Sequence, residues 1–178
     1  MDKKCNMKVP QLIIIRGASG VGKSTILRHL KALLENAFLV DIDSIRMKFS
    51  RMDWANGVSD FVNAQKIVRA MVHEALKLGY GYVVVADPFP KELLLPFVKD
   101  INFQISVISL FCEPEELLRR LEERGRPILH RERIFNLNND IRGCDLDGLD
   151  LKVNQVIYID NTKKDERVVD MYIQKKEE

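Results

Sequence analysis

Nine consecutive residues, Gly17-Ala18-Ser19-Gly20-Val21-Gly22-Lys23-Ser24-Thr25, fit the spacing G-x-x-x-x-G-K-[ST]. Gly17, Gly20 and Gly22 let the backbone curl with its N–H groups pointing inward at an anion, and a helix starting here aims its positive end at the same point. Lys23 adds a point charge for β- and γ-phosphates, Ser24 a hydroxyl for the Mg²⁺ that bridges them, and Thr25 opens the helix. The expected ligand is a nucleoside triphosphate, ATP, with Mg²⁺.

Two acids come next. Val40-Asp41-Ile42-Asp43-Ser44-Ile45-Arg46 follows an apolar run, and Val83-Val84-Val85-Ala86-Asp87-Pro88 ends another. A carboxylate at the carboxyl end of a buried strand faces the crevice where open α/β sheets bind ligands. Phosphoryl transfer to an alcohol needs an acceptor for the hydroxyl proton, and Asp43 is the candidate base; the same residue also suits the N-cap of a helix Ser44 to Phe49. Asp41 is read as a supporting acid. Asp87 either holds Mg²⁺ or contacts the phosphoryl acceptor, or is a turn residue before Pro88 and Pro90. Pro88 stands where motor ATPases place a water-activating Glu, which disfavours hydrolysis as the purpose.

The third group is basic: Leu118-Arg119-Arg120-Leu121-Glu122-Glu123-Arg124-Gly125-Arg126. A phosphoryl group in transfer spreads charge over three oxygens, and guanidinium groups can neutralise it. The plain alternative is a solvated helix flank, with Glu115–Arg119, Glu116–Arg120 and Arg119–Glu123 paired at four-residue spacing.

These groups need a scaffold. Short β-branched runs at 11–16, 37–42, 82–87, 104–111 and 155–160 read as strands buried on both faces. Between them, Lys23 to Glu35, Val58 to Leu78 and Pro114 to Arg124 carry helical periodicity, and a last helix follows Asn161-Thr162. Alternation of this kind implies right-handed crossovers and a parallel sheet covered on both sides. Residues from Arg124 to Leu151 are rich in Arg, Asn, Asp and Gly with little apolar period after Phe135, and are expected to leave the core as a mobile lid. Within them Asp145 to Asp150 lacks the ligand series of a calcium loop and is read as a polar lid turn.

Composition agrees with a globular chain: 178 residues, 46% hydrophobic, 30% charged, with 28 Lys+Arg against 26 Asp+Glu for a formal net charge of +2. That balance gives no global attraction to nucleic acid or an anionic membrane. Cys5, Cys112 and Cys144 are scattered, with no metal-ligand or redox spacing, and Cys112 reads as a core residue. No signal core or membrane-length apolar run occurs, so a cytoplasmic protein is expected.

In layout the whole chain resembles the small P-loop kinases: nucleoside monophosphate kinases, shikimate-type kinases, chloramphenicol phosphotransferases, zeta-toxin-type kinases and the kinase domain of phage-type polynucleotide kinases. The specific likeness lies in the phosphate loop, Asp43, Asp87 and the arginines. It implies a single doubly wound α/β domain over residues 1–178 with strand order 2-3-1-4-5 and a lid at about 124–151. It implies further that Asp43 is catalytic, that Arg46 at D-x-x-R spacing orients the acceptor, that Arg120, Arg124 and Arg126 are lid arginines, and that the loop Ile159 to Lys164 borders the adenine. The expected activity is γ-phosphoryl transfer from ATP to a hydroxyl of a small molecule. Sugar nucleotides and polynucleotide 5′-hydroxyls are the other acceptors considered, and a nucleotide-dependent switch without acceptor chemistry is the alternative of a different class. The stretch Met52 to Gly57 around Trp54 is either acceptor pocket or plain loop.

Overall fold

The computed structural model describes residues 10–49, 58–101, 103–125 and 128–173. Cys5, the stretch Met52 to Gly57 and Arg126 lie outside the described residues.

The apolar runs pair as a five-stranded, all-parallel sheet of order β2-β3-β1-β4-β5, built from β1 (Gln11–Gly17), β2 (Ala37–Asp41), β3 (Tyr82–Asp87), β4 (Gln104–Phe111) and β5 (Gln155–Asp160). This is the doubly wound arrangement expected. Leu12 to Ile15 are at most 1% exposed, which is why β1 shows no alternation: both of its faces are covered.

One face packs under α2 (Ile42–Arg46), α3 (Val58–Lys77) and α4 (Lys91–Val98), through Ile42, Val68, Val72, Leu94 and Phe97 against Leu12, Ile14, Val83 and Val85. The other packs under α1 (Lys23–Leu33), α5 (Pro114–Glu122), α6 (Arg131–Arg142) and α7 (Asp170–Ile173), through Ile26, Leu30, Leu117, Leu137 and Ile141 against Ile13, Ile15 and Ile108. Register sets Asp41 beside Ala86, Asp87 beside Arg16, and Gly17 beside Leu110, so the phosphate loop and both acids emerge at one edge.

Three local expectations are corrected. The helix after β2 begins at Ile42, and its N-cap is Asp41, whose Oδ1 accepts from the Asp43 amide at 3.0 Å; Asp43 lies inside the first turn. The final helical segment, expected directly after Asn161-Thr162, starts later, as a 3₁₀ turn at Glu166–Val169 capped by Asp165. Part of the expected lid is anchored in the core. In α6, Leu137, Asn138 and Ile141 are buried, and the Asn138 amide clasps Cys112, accepting from its N–H at 3.1 Å and donating to its carbonyl at 2.9 Å. Asn138 is polar in type yet occupies a core position by pairing with backbone, which hid the helical period of α6. Leu146 beyond it is 3% exposed.

Candidate functional site

The cradle is closed by its own lysine. Lys23 Nζ donates to the carbonyls of Gly17 at 2.7 Å and Ala18 at 3.0 Å, and Val21 N–H turns back to Ala18. Ala18 and Val21 are buried beneath the loop, while Thr25 N–H donates to Gly22 as α1 begins. Gly22 has φ 108°, left-handed backbone, and a Cβ there would stand 2.6 Å from Asn161 Nδ2. A side chain there is strained by conformation, and admitting one requires the Asn161 amide to shift.

Three carboxylates act electrostatically on the Lys23 ammonium. Burial lowers its pKa, and Asp87, Asp43 and Asp41, in that order, push it back up. Asp87 is 1% exposed; Oδ2 accepts from Gln65 Nε2 at 3.1 Å, and among the described residues Oδ1 has no hydrogen-bond partner. Burial pushes the Asp87 carboxyl well above the usual carboxylate range, against the Gln65 hydrogen bond. Asp41 is raised too, by burial and by Asp43, although the Asp43 N–H and the Ser24 hydroxyl, 3.3 Å from its Oδ2, oppose the shift.

Asp43 is half exposed, and its Oδ1 accepts from Arg46 Nη1 at 3.2 Å. Arg46 is itself 9% exposed and lies over the Phe61 ring at 5.4 Å. The pair follows from D-x-x-R spacing on one helical turn. Packing on Phe61 fixes the guanidinium and through it the carboxylate.

The arginines of α5 divide. Arg119 is a surface residue holding Glu116 and Glu123. Arg120, 5% exposed, donates through Nη2 to the carbonyls of Asn161 at 2.9 Å and Thr162 at 2.8 Å, and through Nη1 to Gly20 at 3.5 Å, with Nε on Glu116. Asn161 Nδ2 completes the tie by donating to the Val21 carbonyl at 2.8 Å. Arg120 thus buckles the phosphate loop to the β5 loop, a structural task that its i, i+4 pairing concealed. The Glu116 carboxyl is held down at about 2 by these two guanidinium groups.

Arg124 is exposed, and its Nη1 donates to Ser19 Oγ at 3.1 Å. With Gly20, Gly22, Thr25, Arg120, Glu123 and Lys164 it lines a cleft over the cradle. Cys112 is buried and pushed up to about 11, chiefly by desolvation, so it remains a thiol within the core.

Sequence reasoning missed Gln65, a polar residue on an otherwise ordinary amphipathic helix, and ranked Asp41 below its contacts. Both emerge only when α3 and β2 close on the cradle. The donor set of Ser24 hydroxyl and Asp41 carboxylate, with Asp87 Oδ1 nearby in the same electrostatic cluster, is all oxygen and suits Mg²⁺. Among the described residues no three His, Cys, Asp or Glu side chains gather as a metal cage. None of the described helices is long and apolar enough to cross a membrane.

Comparison with known proteins places this geometry. A search of curated proteins finds no match. Among solved structures, a protein described as a candidate kinase from Chloroflexus aurantiacus superposes with TM-score 0.71 at 16% identity, over 96% of this chain and 97% of that one. Shikimate kinase from Acinetobacter baumannii, in complex with shikimate, gives 0.61 at 19% over 97% of each chain. One chain of the Pnkp1/Rnl/Hen1 RNA repair complex gives 0.65 at 24%, over 82% of this chain, which spans about half (48%) of that one. The fold is therefore that of the small P-loop kinases. The AAA domain model matches residues 13–136, from within β1 through the cradle, both acids and α5 into α6, and the chain belongs to that family.

Proposed function

We propose that this protein is an ATP-dependent kinase that transfers the γ-phosphoryl group to a hydroxyl of a small molecule. The observation that carries the reading is that the ends of β2 and β3, with Asp41 and Asp87, and the turn bearing Asp43 emerge at the same sheet edge as the phosphate cradle, with Ser24 bonded to Asp41. A nucleotide switch needs the cradle and the metal-side acid; it does not need a further, solvent-facing carboxylate set by its own arginine.

In this reading Gly17 to Thr25 wrap the phosphates, and Lys23 turns from the Gly17 and Ala18 carbonyls to a phosphate oxygen. Mg²⁺, when bound, neutralises and orients the β- and γ-phosphates, with Ser24, Asp41 and Asp87 holding it directly or through water. Asp43 accepts the hydroxyl proton. Arg46 keeps Asp43 aimed and meets the acceptor beside it. Arg124 swings from Ser19 to the transferring group, and Arg126 is assigned with it to charge neutralisation. Arg120 serves the nucleotide indirectly by shaping the loop. The chain acts as one domain, and its moving part is the short stretch around Arg124 rather than the whole of 124–151.

A polynucleotide acceptor is the second reading, favoured by the likeness to a chain of the RNA repair complex. The test is ADP release from Mg·ATP with shikimate, chloramphenicol, hexoses and a 5′-hydroxyl oligoribonucleotide as separate acceptors. Acceptor-dependent release, reduced about 10²–10⁴-fold in Asp43→Ala, supports the kinase and the base. Tight ATP binding with no release for any acceptor supports the switch, and a wild-type rate in Asp43→Ala removes Asp43 from the chemistry.

A further inference from the structure

Asp87, Arg16, Ser109 and Tyr158 occupy matching register positions on β3, β1, β4 and β5, so their side chains form a row across one sheet face at its carboxyl edge. It is the face covered by α2 and α3, on which the candidate base and Gln65 lie. Arg16 breaks the apolar run of β1 one residue before the cradle, and it is fully buried. Its Nη2 donates to Asp145 Oδ2 at 2.7 Å, and the Asp145 side chain is 6% exposed. A second tie lies next door, where Leu146 N–H donates to the Tyr158 hydroxyl at 2.9 Å. Leu146 and Leu151 pack on the same face. Residues 143–151, expected as part of a mobile lid, are thus pinned to the sheet beside Asp87.

Stability alone does not account for this pair. Two buried charges lose their hydration, and an apolar pair of similar volume would hold the segment as well or better. Among the described residues Arg16 Nε and Nη1, Ser109 Oγ and Asp145 Oδ1 also lack hydrogen-bond partners, so the arrangement carries a further cost. What an ion pair supplies that apolar packing does not is one fixed register between segment and strand.

We propose that Arg16 and Asp145 are a positioning pair: they lock 143–151 against the strand that carries the phosphate cradle, and the locked segment is the wall on which the acceptor is placed next to Asp87. The acceptor half of this proposal rests on the kinase reading; the anchoring half does not.

The test compares wild type with Asp145→Asn, Arg16→Met and Arg16→Lys in the full chain. Hydrogen exchange without nucleotide decides the anchoring. Amides of 143–151 should exchange about tenfold faster in D145N and R16M, with R16K between, while those of the cradle and β4 keep their wild-type rates. With whichever panel acceptor releases ADP, acceptor KM should rise about tenfold at unchanged KM for ATP. Unchanged exchange in 143–151, acceleration spread evenly over the sheet, or a KM for ATP that rises in step with that for acceptor would each overturn the positioning role. Failure of wild type to use any panel acceptor would overturn the kinase reading and the acceptor half together, and the exchange result would still stand or fall separately.

Discussion

The Ser24 hydroxyl donates to Oδ2 of Asp41 at 3.3 Å, joining the phosphate cradle directly to the end of β2. The other oxygen of the same carboxylate caps α2 by accepting from the Asp43 amide. One side chain therefore sets both the cradle serine and the helical turn that presents the candidate base.

Asp41→Ala should consequently show two separable losses. Removing the cap costs about 1 kcal/mol of stability, read as a lower denaturant midpoint. Independently, the Mg²⁺ concentration needed for tight ATP binding should rise, as it should in Ser24→Ala without the stability loss. If D41A loses stability but keeps the wild-type Mg²⁺ requirement, Asp41 is only a cap.

Asp87 makes stability depend on pH in the opposite sense to an ordinary paired carboxylate. Its folded pKa lies well above the unfolded value because burial penalises the charge. The folded state then binds the proton more tightly, so this contribution is present below the usual carboxylate range and is lost as pH rises through the raised value. Asp87→Asn should be more stable than wild type at neutral pH, with the difference shrinking as pH falls toward about 4, while Mg·ATP turnover drops. Melting curves across that range check it; parallel curves for the two proteins would contradict the raised pKa.

Arg120, on α5, and Arg124, in the turn just past its end, should fail differently. Arg120→Met strands the carbonyls of Gly20, Asn161 and Thr162 and should cost about 3 kcal/mol, with ATP binding lost through a slackened loop. Arg124→Ala should melt as wild type and retain ATP, yet slow phosphoryl transfer by about 10²–10³-fold. Equal behaviour of the two variants in both assays would remove the distinction.

Gly22→Ala places a side chain in left-handed backbone 2.6 Å from Asn161 Nδ2. Strain of this kind costs about 1–3 kcal/mol. Because Asn161 must move to admit the methyl, its hold on Val21 is lost too. A second change, Asn161→Ala, should not restore ATP binding, since it removes the same tie. Recovery in the double variant would show that the clash alone mattered.

Much of the scaffold was legible in local pattern. Strands buried on both faces are continuous β-branched runs, as in β1, β3 and β4; β2 and β5, expected to be buried likewise, are edge strands and only half-buried, yet lie where their runs predict. The glycine-rich cradle was readable because each position has a local job. Where the pattern failed, a polar residue was doing an apolar residue's work: Asn138 satisfies strand-end backbone within the core, and Arg16 is neutralised by Asp145, 129 positions along the chain. No periodicity marks such residues, since their partners are remote.

The order of residues by itself determined the sheet, the cradle and the two acid-bearing strand ends, because these depend on hydrophobic period and on backbone freedom at glycine, both local properties. Tertiary structure alone decided what the charges do. It made Asp41 the cap and the partner of Ser24, turned Arg120 inward to brace the loop, left Arg124 outside beside Ser19, and tied parts of the expected lid to the core through α6 and Asp145. A charge acquires its role from the distance to its partner and from how much water is excluded around both, and neither quantity exists until the chain has closed.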